Sequence, residues 1–168
     1  MQSVDETLEL KLGELLRLHG WRLAVAESCT GGLIGHRITN VAGSSTYYMG
    51  SITAYAYEAK VRLLCVRWET LEQHGAVSRE TVLEMARGVR LALAADIGMA
   101  VSGIAGPGGG TPEQPVGLAC IGLSTALHEM SWSFVWSGDR RQNKEQSADA
   151  VLRLLVEYLQ QHAVEKLI

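Results

Sequence analysis

Short apolar stretches alternate with amphipathic ones along this chain, and the alternation predicts a sheet with helices packed against it. Trp21 to Ala26 and Ile97 to Ser102 are nearly all apolar, as is typical of strands buried on both faces. Tyr48 to Tyr57 is rich in aromatic and β-branched residues and predicts another strand. Val116 to Leu123 and Met130 to Trp136 predict two more strands, which we expect to pair with each other in antiparallel fashion.

Helical segments are predicted between and around these strands, because apolar residues recur at helical spacing in three regions. The three apolar stripes are Leu8, Leu12, Leu15 and Leu16; Val82, Met85, Ala86, Val89 and Leu93; and Ala148, Val151, Leu152, Leu155 and Leu159. Shorter helices are expected from about Gly31 to Thr39 and from Glu58 to Leu64. Ser78 and Asp139 can cap the central and the last helix.

The predicted order of elements is α-β-α-β-α-α-β-β-β-α. Alternation favours a mainly parallel sheet that is covered on both faces, and the consecutive strands late in the chain make the sheet mixed. The expected fold class is therefore α/β, a three-layer α/β/α arrangement with a mixed, mainly parallel sheet. The 168 residues predict a single domain, residues 1–168, which can bury a core without disulfides or structural metal.

Composition narrows the class of protein. A hydrophobic fraction of 47%, a charged fraction of 20% and a net charge of −3 are typical of a soluble globular protein without a nucleic-acid partner. No apolar run is long enough to span a membrane, and the acidic segment Met1–Glu6 does not resemble a secretion signal. Cys29, Cys65 and Cys120 favour reduced thiols in a cytoplasmic protein. The chain lacks metal-ligand spacings, so we expect no metal and no cofactor.

The chemically richest segment is Ala26-Glu27-Ser28-Cys29-Thr30-Gly31-Gly32, which lies where a buried strand gives way to a helix. Such a turn can hold a side chain rigidly and can offer free N–H groups to an anion or oxyanion. Ser28 is the leading candidate nucleophile. Cys29 is a rival, because a thiol at a helix N-terminus has a lowered pKa. An ordinary helix cap explains the local pattern equally well.

A serine hydroxyl is unreactive until a base takes its proton, and Lys60 is the best candidate for that base. It lies in an apolar stretch near Tyr55, where partial desolvation can lower its pKa. The five histidines are scattered and give little support to a Ser-His-Asp triad. Tyr55, at the predicted end of its strand, can relay a proton or donate to an oxyanion. The alternatives are a Lys60 that extends to solvent and a Tyr55 that only packs at the rim of the core.

Two further segments are candidates for binding an anion. The glycine-rich loop Gly106–Gly110 can bring N–H groups close to a phosphate, although it matches neither Walker A nor the dinucleotide-binding pattern. Arg140, at the predicted start of the last helix, can pair with a carboxylate or phosphate. An ordinary turn and a solvated arginine are the alternatives. Ligands collect at the carboxyl ends of strands in such sheets, and the segments after Ala26 and Ser102 and around Tyr55 are expected there.

Taken together and in this order, these segments resemble the CinA C-terminal domain family, the nicotinamide-nucleotide amidohydrolases. The resemblance runs from about Leu8 to Leu159. It rests on Ala26–Gly32, Ala42-Gly43-Ser44-Ser45, Tyr55 with Glu58-Ala59-Lys60, His74–Ser78, Ser102–Gly110, Pro115-Val116-Gly117 and Gly138-Asp139-Arg140. The resemblance implies metal-free hydrolysis of nicotinamide mononucleotide to nicotinate mononucleotide and ammonia.

The resemblance also implies roles for individual residues. Ser28 would attack the amide carbonyl, Lys60 would take the hydroxyl proton and return it to ammonia, and water would cleave the acyl-enzyme. Tyr55 matches the family's tyrosine, and N–H groups near Thr30 to Gly32 would stabilise the oxyanion. The implied substrate-binding residues are Thr30, Gly31, Gly32, Ser45, Gly106, Gly108, Gly109 and Arg140.

One segment departs from the family pattern. The family usually reads Tyr-Ser-Asn-Glu-Ala-Lys, where this chain has Tyr55-Ala56-Tyr57-Glu58-Ala59-Lys60. If the family's asparagine contacts substrate or orients the lysine, this chain is a weak or inactive paralogue or accepts another substrate. The alternative function is therefore a regulatory module that binds a pyridine nucleotide without turnover. A homo-oligomer is compatible with the sequence.

Overall fold

The computed structural model describes residues 7–162, so the acidic segment Met1–Glu6 lies outside the described residues. In chain order the elements are α1 (Leu8–His19), β1 (Leu23–Glu27), α2 (Leu33–Thr39), a 3₁₀ helix (Ser44–Thr46), β2 (Tyr48–Thr53), α3 (Tyr57–Leu64), α4 (Trp68–His74), α5 (Arg79–Ala92), β3 (Ile97–Gly103), β4 (Leu118–Ser124), β5 (Glu129–Val135) and α6 (Arg140–His162). No helix among these is both long enough and apolar enough to cross a bilayer.

The strands form one sheet in the order β2-β1-β3-β4-β5. β1 pairs in parallel with β2 and β3, whereas β4 pairs antiparallel with β3 and β5. Within this sheet β4 alone opposes the common direction, so the predicted mixed, mainly parallel sheet is confirmed. Glu27 at the end of β1 is paired with Thr53 and Val101 on its two neighbours. We call the edge where β1, β2 and β3 end the carboxyl edge.

Each face of the sheet carries its own hydrophobic core, which gives the predicted three layers. α1, α2 and α6 cover one face, where Val25 is part of the core, and α3, α4 and α5 cover the other, where Ala24 and Ala26 are buried. Successive side chains of a strand point to opposite faces. The alternation along β1 therefore decides which helices the residues after the strand will meet.

Some boundaries differ from the prediction. β2 ends at Thr53, because the chain leaves the sheet at Ala54 and begins α3 at Tyr57. Tyr55 consequently lies in the connection between β2 and α3 and not at the end of a strand. The helix α4 was not predicted, since its seven residues bury only Thr70 and Leu71 and give no periodic apolar signal.

The predicted caps of two helices are present. Ser78 accepts a hydrogen bond from the N–H of Thr81 at the start of α5. Asp139 accepts one from the N–H of Gln142 at the start of α6, with an O···N distance of 2.8 Å. These caps fix where both helices begin, and Arg140 consequently becomes the first residue of α6 at the carboxyl edge.

Candidate active site

The turn between β1 and α2 places Ser28 at the carboxyl edge. Ser28 is the first residue after β1, and its N–H donates to the carbonyl oxygen of Val101 on β3 at 3.0 Å. Gly31 and Gly32 follow with φ values of +61° and +100°, which residues with a Cβ rarely adopt. The sheet therefore holds the start of the turn, and two glycines allow the chain to enter α2.

Lys60 reaches Ser28 from α3, on the face of the sheet covered by α3 to α5. Lys60 Nζ donates to Ser28 Oγ at 3.0 Å and to the carbonyl oxygens of Ala54 and Tyr55, both at 2.9 Å. Lys60 is 1% exposed and Ser28 is 7% exposed. The interpretation of Lys60 as a side chain that extends to solvent is therefore wrong, and the predicted contact between the two side chains is present.

Burial lowers the pKa of Lys60 from its usual 10.5 to about 8. The oxygens that contact Nζ belong to a hydroxyl and two backbone carbonyls, so no carboxylate among these contacts restores the charge. With such a pKa, roughly one lysine in ten is neutral at pH 7, and the neutral amine is the form that can take a proton.

Cys29 points to the opposite face of the sheet from Ser28. It is 7% exposed and belongs to the core beneath α1, α2 and α6. Burial raises the pKa of its thiol to about 11. The lowered pKa on which its candidacy as a nucleophile depended is therefore contradicted, and Ser28 is the candidate that faces Lys60.

Glu27, the last residue of β1, carries a fully buried carboxylate, and the sequence analysis did not predict its role. It accepts hydrogen bonds from the hydroxyl of Thr30 at 2.6 Å and from the N–H groups of Gly32, Ile34 and Gly35 at 3.0, 3.1 and 2.9 Å. An acidic residue that ends a buried strand directly before a helix is the signal that points to such a capping carboxylate.

These contacts correct the predicted oxyanion donors. The N–H of Gly32 donates to Glu27, and the N–H of Gly31 donates to the carbonyl oxygen of Ser28 at 3.1 Å. The hydroxyl of Thr30 is likewise taken by Glu27. Within residues 7–162, the N–H groups of Cys29 and Thr30 donate to no other residue, so they remain the candidates from this turn.

Tyr55, Arg140 and the glycine-rich loop form a second group at the carboxyl edge. Arg140 donates through Nη2 to the Tyr55 hydroxyl at 3.2 Å and through Nη1 to the carbonyl oxygen of Gly106 at 2.7 Å. The side chain of Tyr55 is 63% exposed, and its backbone carbonyl is the group that contacts Lys60. An open cleft of about 600 Å³ lies beside Arg140.

The loop that contains Gly106, Gly108 and Gly109 is tied to the start of α6 by Asn143. This buried amide donates to the carbonyl oxygen of Ala105 at 3.1 Å and accepts from the N–H of Gly138 at 3.0 Å. Gly108 and Gly109 are exposed. Asn143 was not predicted as part of the site, because a polar residue near a helix start gives no distinctive signal.

Lys144 adds a second cation to this edge and was also not predicted. Lys144 is half-buried, and its Nζ lies close to Gly31. A side chain at position 31 would place its Cβ 3.8 Å from that Nζ. Lys144 follows Arg140 by four residues, so both cations share one face of α6. No group of His, Cys, Asp or Glu within the described chain could hold a metal ion.

Ser45 is a predicted substrate-binding residue that the structure does not bring to this edge. It lies in the 3₁₀ helix before β2, where the carbonyl oxygen of Tyr47 accepts from the N–H of Leu23 at the start of β1. The whole of β1 separates that point from Ser28. Within one chain the structure therefore does not bring Ser45 to Ser28, and its expected place at this site is corrected.

The two positions that depart from the family pattern lie at the start of α3. Ala56 is the N-cap residue and makes no side-chain capping bond. The Tyr57 hydroxyl accepts from the N–H of Ala76 at 3.3 Å, and its ring lies 6.4 Å from that of Trp68. Neither side chain has a hydrogen bond to Ser28 or Lys60.

Comparisons with known proteins agree on one family. The family model of the CinA C-terminal domain matches residues 5–159. A CinA-like protein from Chloroherpeton thalassium is 48% identical over 161 residues, which cover 94% of this chain and 38% of that protein. The crystal structure of a CinA superfamily protein from Klebsiella pneumoniae has a TM-score of 0.88 and 33% identity, and covers 92% of this chain and 96% of that one.

A second pair of relatives gives the same result. A CinA-like protein from Chlorobaculum tepidum is 47% identical over 157 residues, 90% of this chain and 37% of that protein. The competence/damage-inducible protein of known structure from Agrobacterium tumefaciens has a TM-score of 0.81 and 35% identity, and covers 88% of this chain and 94% of that one. The chain thus spans little more than a third of the length of these curated relatives, but most of the solved structures.

Proposed function

Because the chain belongs to the CinA C-terminal domain family, we propose that it hydrolyses the amide of nicotinamide mononucleotide to nicotinate mononucleotide and ammonia. The observation that carries this proposal is the 3.0 Å contact between Lys60 Nζ and Ser28 Oγ. A hydroxyl beside a buried amine with a pKa of about 8 meets the requirements of acyl transfer by a serine and a lysine.

Acylation, the first half-reaction, uses Lys60 as the base and Ser28 as the nucleophile. The neutral amine of Lys60 removes the Ser28 proton while Oγ bonds to the amide carbon and the carbonyl electrons move to oxygen. The tetrahedral intermediate collapses as the C–N bond breaks, and the Lys60 ammonium gives its proton to the leaving nitrogen, which departs as ammonia. The product of this half-reaction is an ester between Ser28 and the pyridine carboxyl group.

Deacylation repeats the same proton transfers with water. Neutral Lys60 takes a proton from water as the water oxygen attacks the ester carbon. The C–O bond to Ser28 then breaks, and the Lys60 ammonium returns its proton to Oγ. Lys60 therefore serves both halves from one position, which the three acceptors around Nζ hold in place.

The N–H groups of Cys29 and Thr30 are our candidates for stabilising the oxyanion of both intermediates. They belong to the two residues directly after the nucleophile, which is where a sharp strand-to-helix turn presents its donors. Neither donates to another residue in the described part of the chain. A positioned donor of this kind is worth roughly 3 kcal/mol in the transition state.

The positively charged face of α6 is our candidate for binding the substrate phosphate. Arg140 and Lys144 lie there, and the first is already held by Gly106 and Tyr55. Gly108 and Gly109 extend the same loop with exposed backbone. Tyr55 is therefore assigned to orienting Arg140 and not to a proton transfer at Ser28. Thr30, Gly31 and Gly32 shape the turn that carries the nucleophile.

The alternative of a regulatory module without turnover depended on the departures at Ala56 and Tyr57. Because those side chains make no hydrogen bond to Ser28 or Lys60, they give no specific reason to expect inactivity.

The test is ammonia release from nicotinamide mononucleotide by the purified protein, with ligand binding followed by thermal shift. We expect turnover by the unaltered chain and retained binding but no turnover by Ser28→Ala. Binding without turnover by the unaltered chain would instead support the regulatory module.

A further inference from the structure

The buried carboxylate of Glu27 has no role in the reaction steps above. Glu27 is 0% exposed, and burying a charge is costly unless hydrogen bonds compensate it. Here the compensation is complete, because the hydroxyl of Thr30 and the N–H groups of Gly32, Ile34 and Gly35 all donate to its two oxygens. These donors belong to the turn after Ser28 or to the start of α2.

The contacts of Glu27 decide which donors of the turn stay available. Three N–H groups and one hydroxyl are directed at the carboxylate, which leaves the N–H groups of Cys29 and Thr30. If the carboxylate were absent, all three N–H groups would lose their acceptor, and the turn would have to rearrange to satisfy the buried ones of Ile34 and Gly35.

The alternation of side chains along β1 also places Glu27 beside Cys29. Both lie on the face covered by α2 and α6, whereas Ser28 points to Lys60 on the other face. The N–H groups at a helix start carry partial positive charge that favours a thiolate. Burial is the main cause that raises the pKa of Cys29; its own N–H and the charges of Lys60 and Lys144 lower this pKa, and the negative charge of Glu27 adds a smaller increase.

We propose that Glu27 is a positioning residue that fixes the Ser28 turn and reserves the reaction for the Ser28 hydroxyl over the adjacent Cys29 thiol. This inference rests on the proposed function in one respect, since it takes Ser28 as the nucleophile. The role of Glu27 adds a reason why the Ser28 hydroxyl reacts and the neighbouring Cys29 thiol does not.

The kinetic test compares Glu27→Gln with Thr30→Val. The first variant keeps the shape of the side chain but removes its charge and turns one acceptor into a donor. The second removes one donor and leaves the charge in place. We expect Glu27→Gln to lower kcat roughly 10- to 100-fold with KM within about twofold, because orientation of the nucleophile is lost and substrate contacts are not. Thr30→Val should lower kcat by less than Glu27→Gln. If Glu27→Gln raised KM by as large a factor as it lowered kcat, the positioning role would be contradicted.

The second test measures alkylation of individual cysteines by iodoacetamide across pH, with mass spectrometry as the readout. In Glu27→Gln we expect Cys29 to react at lower pH and faster than in the unaltered chain, because loss of the neighbouring negative charge favours the thiolate. Cys120 is the internal control, because it is buried in the core on the opposite face. A parallel increase at Cys29 and Cys120 would mean general loosening of the fold, and no increase at Cys29 would remove the electrostatic role; either result overturns the proposal.

A third readout separates this inference from the amidase proposal. A fluorophosphonate modifies an activated serine without any pyridine substrate, so it reports on Ser28 even if the unaltered chain does not hydrolyse nicotinamide mononucleotide. We expect modification of Ser28 in the unaltered chain and at least tenfold slower modification in Glu27→Gln. Equal rates in the two proteins would overturn the role of Glu27 whatever the substrate.

Discussion

The two edges of the sheet hold their polar side chains in different ways. At the carboxyl edge, Glu27 and Lys60 are buried and bonded to backbone groups. At the opposite edge, a cavity of about 410 Å³ is lined by aromatic rings and histidines, among them His128, Tyr158 and His162. There the rings contact one another, with Tyr158 and His162 stacked at 4.1 Å and the Tyr158 hydroxyl 2.8 Å from His128 Nδ1.

This contrast indicates that a large cavity lined by aromatic rings is weaker evidence for a catalytic site than a buried charged side chain. Half-exposed histidines that contact each other need no compensation from the fold. A buried lysine ammonium is unfavourable unless the structure holds it, and strongly perturbed groups of this kind concentrate at functional sites. The comparison predicts that substitutions at the carboxyl edge lower kcat by orders of magnitude more than substitutions at the opposite edge.

The largest expected effect comes from removing Ser28, the proposed nucleophile. Ser28→Ala should lower kcat by at least about a thousandfold, because the acyl-enzyme can no longer form. Cys29→Ala is the matched neighbour and should keep most of the activity, since its thiol points into the core. His128→Ala at the opposite edge should change kcat and KM by less than about threefold. Steady-state ammonia release measures all three variants, and a large loss in His128→Ala would break the comparison.

The pH dependence of activity should follow Lys60. Because burial lowers its pKa to about 8, the neutral amine becomes more abundant as the pH rises towards that value. We expect kcat/KM to increase roughly tenfold per pH unit from pH 6 and to level off above about 8. A pH profile that is flat between pH 6 and 8 would exclude Lys60 as the base.

The same shift makes a prediction about stability. Lys60 has a pKa of about 8 when folded and 10.5 as its ordinary value, so between these pH values the unfolded chain binds a proton that the folded chain lacks. The contribution of Lys60 to the free energy of unfolding therefore increases with pH through this window, by about 3 kcal/mol in all. Urea unfolding of Cys29→Ala and of the double variant Cys29→Ala, Lys60→Met isolates it, because Cys29 also titrates in this window and its charge interacts with Lys60.

Arg140 should affect binding more than chemistry. Arg140→Ala removes the proposed charge-assisted contact to the substrate phosphate and releases both Tyr55 and Gly106. We expect KM for nicotinamide mononucleotide to rise roughly tenfold, with a smaller change in kcat. Arg141→Ala is the matched control, because Arg141 is exposed and pairs with Glu145 on its own helix. Equal effects of the two variants would mean that only the net charge of α6 matters.

The family resemblance, together with the placement of both residues after strands, predicts that Ser28 and Lys60 meet, and the structure shows the topological reason. Both follow strands that run in the same direction side by side, so both must lie near the carboxyl edge. The expected position of Ser45 was wrong for a related topological reason. Ser45 precedes β2, and a residue before a parallel strand lies at the opposite edge of the sheet from a residue after it. The resemblance linked it to the site, whereas the strand order assigns it to the opposite edge.

The position of Glu27 before a helix signals a capping carboxylate, but its individual hydrogen-bond partners and the direction of Tyr55 could not be predicted, because they depend on local backbone geometry. Glu27 meets its four donors only after Gly31 and Gly32 adopt positive φ values. Tyr55 lies beyond the strand, because the chain turns at Ala54, and this leaves its carbonyl and not its phenol near Lys60. Residue type and spacing do not encode such directions.

The smallest expected effect concerns the start of α3, where the chain departs from its family. Ala56→Ser should supply the missing cap and stabilise the fold by about 1 kcal/mol, seen as an increase of a few degrees in Tm. Activity should stay within about twofold, because the hydrogen bond between Ala56 and Lys60 joins the Ala56 carbonyl oxygen to the Lys60 N–H at 3.1 Å, and the substitution keeps both backbone groups. Tyr57→Asn is the companion variant and should lower Tm, since it removes the contacts with Ala76 and Trp68. If Ala56→Ser instead raised kcat tenfold or more, the start of α3 would belong to the catalytic machinery. The N-cap of α3 would then have to be grouped with Ser28 and Lys60 and not with their structural surroundings.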